Sequence, residues 1–224
     1  MHKDFWLERW ASEKIGFHQD AVHPYLSDYW HDLQLTGRGQ DTQVFVPLCG
    51  KSHDMQWLRQ QGHPVLGVEL SDIAVRAFYR ENGYLPQQFP HEKFVCYEAD
   101  NIRILCGDFF DMGKDDLANV PVVYDRASLI ALPPEMRERY ARHLVSILPP
   151  AAQILLITLE YPQAQMPGPP FSVSAEEVAA LYQPHAEIRL LATLDVLSQN
   201  PRFENRGLRQ LQENIYLLTL RSPR

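Results

Sequence analysis

The stretch VFVPLCGKSHDM, Val44 to Met55, decides how the chain is read. An apolar run stops at Pro47, turns through Cys49 and Gly50, and enters a helix for which Ser52 is the N-cap. Its tail, Gly50-Lys51-Ser52, is the ending of a phosphate-binding loop. That loop needs Gly-x-x-x-x-Gly-Lys-Ser/Thr, and the position of the first glycine is taken by Phe45. Pro47 has no amide to offer an anion. The dinucleotide fingerprint fails as well, because one glycine stands where three are wanted. The loop therefore suits a cofactor that carries a ribose and no phosphates.

Working outward, short apolar runs alternate with helical stretches. Val65–Val68 reads as the next strand, ending at Glu69, and Ser71 caps a helix that stops near Gly83. Phe94–Tyr97 and Ile102–Cys106 read as a hairpin across Asp100-Asn101. Val120–Asp125 is a strand, and Pro133-Pro134 opens a helix with Met136, Tyr140, Leu144 and Leu148 at four-residue spacing. Gln153–Leu159 is apolar throughout, as in strands buried on both faces. Ser174 and Glu177 form a capping box, and Ile188–Leu194 and Ile215–Leu220 close the chain as strands. This βαβα rhythm predicts an α/β fold, a mostly parallel twisted sheet with helices on both faces and an antiparallel end. The first forty residues read as helical, with Phe5, Trp6 and Trp10 on one face and Gly16 as the stop. Pro24 opens a second helix carrying Leu26, Trp30 and Leu33. The whole is expected to be one domain of residues 1–224, with residues 1–40 as a helical cover and 41–224 as the core.

In such a sheet the ligand lies beyond the carboxyl ends of the strands. Glu69 stands about twenty residues after the loop, where nucleoside-binding folds put the acid that binds ribose hydroxyls. An ordinary surface acid at a strand end is the other reading of Glu69. Cys49, near a helix N-terminus, has the position of a nucleophile, but no histidine stands at a nucleophile-base spacing and packing in a tight turn is the simpler reading. No C-x-x-C or H-x₃-H pair suggests a metal. His18, His23 and His31 read as packed or solvated.

Composition narrows the partners. The formal net charge is −7, which disfavours nucleic acid, since a duplex binder needs a basic patch. The basic stretch Arg137 to His143 is interrupted by acids and reads as a solvated helix face. No run is long enough to span a bilayer and the first residues show no signal pattern, so a cytoplasmic protein without a membrane partner is expected. Three scattered cysteines make no disulfide framework.

Five blocks together resemble the thiopurine S-methyltransferases, in their bacterial form. They are W-x-x-R-W with IGFHQD (Trp6 to Asp20), VFVPLCGKSHDMQWL (Val44 to Leu58), GHPVLGVELS (Gly62 to Ser71), YDRASLIALPP (Tyr124 to Pro134) and GPPFSV (Gly168 to Val173). The resemblance implies a class I S-adenosylmethionine-dependent methyltransferase, with Rossmann-like topology, that methylates the sulfur of aromatic or heterocyclic thiols. It implies Trp6, Trp10, Leu48, Glu69, Gly107, Asp108 and Arg126 at the cofactor, and Arg126 beside the acceptor sulfur in a catalytic, electrostatic role. Phe17 would wall the acceptor pocket, joined by Arg202 or Arg206; the resemblance does not say which. No metal is implied, and a monomer is expected. Two alternatives stand beside this one. One keeps the fold and methylates selenium or tellurium compounds, a detoxifying role. The other is a non-catalytic module that binds S-adenosylmethionine or a nucleoside.

Overall fold

The computed structural model describes residues 3–33 and 42–222. The expected boundary near residue 40 lies outside them. Among the described residues the strands are β1 (Val44–Val46), β2 (Val65–Glu69), β3 (Gln87–His91), β4 (Phe94–Ala99), β5 (Ile102–Cys106), β6 (Val122–Asp125), β7 (Gln153–Glu160), β8 (Ala186–Asp195) and β9 (Gln212–Leu220). They form one sheet in the order β3-β4-β5-β2-β1-β6-β7-β9-β8. The centre, from β5 to β7, is parallel, and antiparallel strands flank it on both sides. Strand order reverses at β1, which pairs with β2 on one side and β6 on the other.

Helices cover both faces: α1 (Lys3–Ala11), α2 (Pro24–Tyr29), α3 (His53–Gln60), α4 (Asp72–Glu81), α5 (Lys114–Leu117), α6 (Ser128–Ala131), α7 (Pro134–Ile147), α8 (Ala175–Tyr182) and α9 (Pro201–Glu204). Side-chain alternation along each strand splits the core in two. Phe45, Val68, Val123 and Ile154 pack with Tyr140 and Leu144 of α7 and Val178 of α8. Val44, Val46, Tyr124 and Leu155 pack with Leu26, Trp30 and Leu33 of the N-terminal segment, Met55 and Leu58 of α3, and Phe78 of α4. The expected i, i+4, i+7 stripe of Leu26, Trp30 and Leu33 is thus buried.

Several local expectations are corrected. The first helix ends at Ala11, not at Gly16. Glu13 sits at φ +55°, Glu13 N donates to Trp10 O and Lys14 N donates to Arg9 O, which closes the helix by the glycine-type C-cap with no glycine present. Strand β3 is an exposed edge carrying Pro90, so no alternating pattern marks it. The capping box at Ser174 is only half formed. Ser174 Oγ accepts from Glu177 N, but the Glu177 carboxylate receives Arg137 Nη1 at 2.6 Å. Arg137 is therefore not on a solvated face: it is 1% exposed and also donates Nε to Leu132 O. The hairpin turn is as expected, with Asp100 and Asn101 at φ +52° and +60°.

Gly67 in β2 explains the small, buried Cys49. A Cβ at position 67 would meet Cys49 Sγ at 2.8 Å and Met55 Sδ at 3.3 Å. Gly67→Ala should therefore overpack this spot and cost about 1–3 kcal/mol, read as a lower urea midpoint at unchanged slope. Adding Cys49→Ala should recover part of the loss. A single variant as stable as the parent would show that the loop yields freely.

Candidate active site

The loop from Pro47 to Ser52 joins β1 to α3 through two left-handed residues, Leu48 at φ +47° and Gly50 at φ +53°. Glycine adopts this conformation freely, whereas a leucine held there is strained. Two bonds fix the turn: Cys49 N donates to Val68 O and Ser52 N to Cys49 O. Ser52 Oγ then accepts from Asp54 N and starts α3. Ser128 Oγ, at the start of α6, donates to Pro47 O and joins the loops that follow β1 and β6.

Glu69 ends β2 beside this loop and is 6% exposed. One carboxylate oxygen accepts from Gly50 N at 2.9 Å, the other from Ser71 N at 2.7 Å. Burial pushes its pKa up, and the amide bonds only partly offset this. The phosphate reading now fails on contacts as well as on spacing. The Gly50 amide, which a phosphate nest would need, is donated to a carboxylate, and the Lys51 ammonium reaches Glu81 at 2.7 Å.

These loops floor a cavity of about 760 Å³ at the carboxyl ends of the strands. Trp6, Trp10, Phe17, Leu48, Glu69, Asp108, Arg126, Arg202 and Arg206 all line it. Gly107 does not; its N–H donates to Glu69 O, and Phe94 packs where its side chain would be. Asp108 accepts from Phe110 N and pairs with Lys3 at 2.6 Å, tying α1 over that end. The aromatics form the roof. Phe17 makes edge contacts with Trp6 and Trp10, at 5.4 and 5.5 Å between centroids, and Trp10 lies against Gly50. The Gly168-Pro169-Pro170 segment forms a wall, held by Phe171 N on Ile130 O.

Arg126 follows the buried Asp125, which accepts from Tyr140 OH and Ser128 N. Among the described residues the Arg126 guanidinium has no hydrogen bond or ion pair, and Arg206 is the same. Arg202 donates to Gly16 O. Burial, then the charges of Arg126 and Arg206, lower the Arg202 pKa, so three guanidiniums share one region. Cys49 is no activated nucleophile: burial pushes its thiol pKa well up. Sequence spacing had not singled out Lys3 or Glu213, which also line the cavity. Each comes from one end of the chain, and no local motif marks it.

A protein from Nitrosospira multiformis named thiopurine S-methyltransferase is 60% identical over 99% of this chain and 100% of its own length. One of the same name from Azotobacter vinelandii is 49% identical over 99% of this chain and all of its own. The family model for thiopurine S-methyltransferase matches residues 1–221. The chain belongs to the thiopurine S-methyltransferase family. It is an S-adenosylmethionine-dependent methyltransferase, which favours an enzyme over a non-catalytic binding module. Solved structures bear out the class I fold. A SAM-dependent methyltransferase from Anabaena variabilis superposes with a TM-score of 0.65 at 14% identity, covering 98% of this chain and 95% of that one. A didemethyltoxoflavin N1-methyltransferase from Burkholderia thailandensis, solved with S-adenosylhomocysteine, gives 0.64 at 15% identity, covering 98% and 87%.

A thiopurine S-methyltransferase family loop built this way should ignore triphosphates. ATP with magnesium should leave the thermal midpoint unmoved, whereas S-adenosylhomocysteine should raise it, because a ligand of the native state alone stabilises that state. A saturable shift with micromolar ATP would overturn this account of the loop.

Proposed function

We propose that the enzyme methylates the sulfur of aromatic and heterocyclic thiols, thiopurines among them. The observation that carries this reading is the Arg126 guanidinium, which lines the cavity without a partner among the described residues. A cation left unpaired there suits an acceptor that becomes an anion, and a thiolate is one. Bound S-adenosylmethionine supplies an already activated methyl group, so the protein's task is to align, to exclude water and to favour the thiolate.

Each side chain then has a part. Glu69, oriented by two amides, accepts from the ribose hydroxyls. Leu48, Trp10, Trp6 and Asp108 hold the nucleoside, with Gly107 supporting Glu69 from below. Phe17 and the proline wall enclose the acceptor, and residues 1–40 act as a cover on the core of 41–224. Arg126 stabilises the thiolate by Coulomb attraction; always protonated, it is no base. Arg202 and Arg206 add positive charge at the same region. That cluster supports a second acceptor class, anionic selenium or tellurium compounds, and with it a role in detoxification. A net charge of −7 fits a protein that works in the cytoplasm, as a monomer, apart from nucleic acid and membranes. Incubation with the methyl donor and a panel of aromatic thiols, selenols and oxyanions tests the reading; a folded protein that binds S-adenosylhomocysteine but methylates no thiol would refute it.

Glu69→Gln removes the charge and one acceptor. Charge-assisted bonds are worth roughly 1.5–3 kcal/mol each, so affinity for S-adenosylhomocysteine should fall at least about tenfold by calorimetric titration. The carboxylate is the binding form and burial raises its pKa. Wild-type affinity should thus weaken, as pH falls, earlier than an ordinary carboxylate would allow. Unchanged affinity in a folded variant would remove Glu69 from the site.

For Arg126, kcat/KM should fall in the order wild type, Arg126→Lys, Arg126→Ala, because lysine keeps the charge and loses the planar reach. The alanine variant should regain part of its activity as pH rises, since the thiolate then forms unaided but is no longer attracted by the guanidinium. A pH series on two thiols of different acidity at saturating cofactor is the measurement. Equal loss for both thiols at every pH would leave Arg126 without the thiolate role.

A further inference from the structure

A thiol acceptor must lose a proton, and Arg126 cannot take it. We propose that Glu213 takes it, with His23 as the residue that positions Glu213; the proposal rests on the thiol reading above. Among the described residues three carboxylates, Glu69, Asp108 and Glu213, and one imidazole, His18, line the cavity. His18 stacks near His53 at the start of α3, and the charges that act on it are Lys51, His53, Asp20 and Glu81 rather than Arg126. Glu69 is held by two backbone amides and Asp108 by an amide and Lys3. Among the described residues the Glu213 carboxylate touches neither an amide nor a lysine, and its side chain keeps 13% of its surface open.

The fold places Glu213 by strand register. It stands at the start of β9, opposite Leu159 of β7 and Leu194 of β8. Alternation puts it on the same face as Ile215, Leu217 and Ile157, the face to which Tyr124 also belongs. Both charges are felt at the buried Tyr124 hydroxyl, where Arg126 lowers the pKa and Glu213 raises it. Yet these opposite charges make no ion pair among the described residues. Two unlike charges that line one cavity without pairing can each act on an S–H group bound in it.

The residue behind Glu213 is buried and its backbone is tied down. His23 is 3% exposed, its backbone N–H donates to Asp54 Oδ1 at 2.8 Å, and Asp54 Oδ2 accepts from Tyr124 OH at 3.0 Å. His23 Nε2 lies 3.4 Å from each Glu213 oxygen, while its buried Nδ1 has no partner among the described residues. A buried N–H without an acceptor is costly, so the ring proton belongs on Nε2, where it donates to the carboxylate. Glu213 also acts electrostatically on Tyr25 of α2 and Tyr124 of β6, and neither lines the cavity. Glu160 and Thr193 bond Asn214, on the opposite face of β9. Arg202 and Arg206 line the cavity, but a guanidinium is no base.

The step balances without any further reactant. The S–H bond breaks, its electron pair stays on sulfur beside Arg126, and the proton goes to a Glu213 oxygen. The acceptor sulfur would then bond to the methyl group as the methyl's bond to the donor's sulfonium sulfur breaks, with that bond's electron pair left on the donor sulfur, and Glu213 returns the proton to solvent.

The test is Glu213→Gln, which keeps the shape and an acceptor for His23 but is not a base. Two thiols are compared across pH, one un-ionised and one already ionised in the working range, and affinity for S-adenosylhomocysteine is measured by calorimetry. General bases contribute typically 10²–10⁴-fold, so kcat/KM for the un-ionised thiol should drop about 100-fold or more and recover as pH passes the thiol pKa. For the ionised thiol the sign reverses. Removing a negative charge no longer repels the thiolate, so the variant should match or exceed wild type, whereas Arg126→Ala should be slower. Affinity for S-adenosylhomocysteine should not change. Equal loss on both thiols, or no loss on either, overturns the proposal. If Glu213→Gln does not fold, Glu213→Asp, still a base but shorter, decides by the same criterion: a loss confined to the un-ionised thiol supports the role, a uniform loss refutes it. A wild type that methylates no thiol refutes the thiol reading and this proposal with it; a wild type that does, beside an indifferent variant, refutes the proposal alone.

Discussion

The pair of amide bonds received by Glu69 is the constraint on which the site turns. Gly50 belongs to the loop after β1 and Ser71 to the start of α4, so one buried carboxylate joins the exits of two neighbouring strands. Burial of a charge is costly unless it is hydrogen-bonded, and here each oxygen has an amide. The same contact uses up the loop's only glycine amide, which turns an apparent phosphate loop into one that presents negative charge. The left-handed turn through Leu48 and Gly50 brings that amide round to the acid.

Around this fixed floor the cavity lining carries charges of both signs. Glu69 and Asp108 are held by backbone amides, while Arg126, Arg202 and Arg206 share one region. The backbone fixes Glu69 and Asp108; the arginines rest on longer side chains, two of them without partners among the described residues. Such an arrangement holds a ligand of defined shape firmly at one end and tolerates variety at the other. This agrees with the proposed function, in which one cofactor serves many acceptors.

Much of this was legible from the chain because its signals are local. The run from β1 through α4 declares itself within forty residues: strands apolar on both faces, Ser52 and Ser71 as caps, and an acid at the second strand's end. Where expectation failed, contacts or backbone conformations that the residue pattern does not announce had overridden it. Glu177 has the spacing of a capping-box partner, but Arg137, forty residues earlier, captures it. Glu13 closes a helix in a conformation that usually selects glycine. Strand β3 exists because β4 offers it an edge, not because its own residues alternate. Trp6, Trp10, Leu48, Asp108 and Arg126 were reached through the family resemblance, and the cavity brings them together. Lys3 and Glu213 had no such signal, since their partners, Asp108 and His23, lie 105 and 190 positions away in sequence.

The leucine held at φ +47° has a consequence for how this protein can change. A residue in that region carries about 1–3 kcal/mol of strain, a sizeable share of a folding free energy of about 5–15 kcal/mol. Glycine at position 48 would shed that strain, so selection for robustness alone would drift there. It would also strip an apolar side chain from the cavity floor. Any lineage that must keep the floor closed is thus held away from its more stable neighbour in sequence space. Efforts to make the enzyme hardier should look for their gains far from this turn.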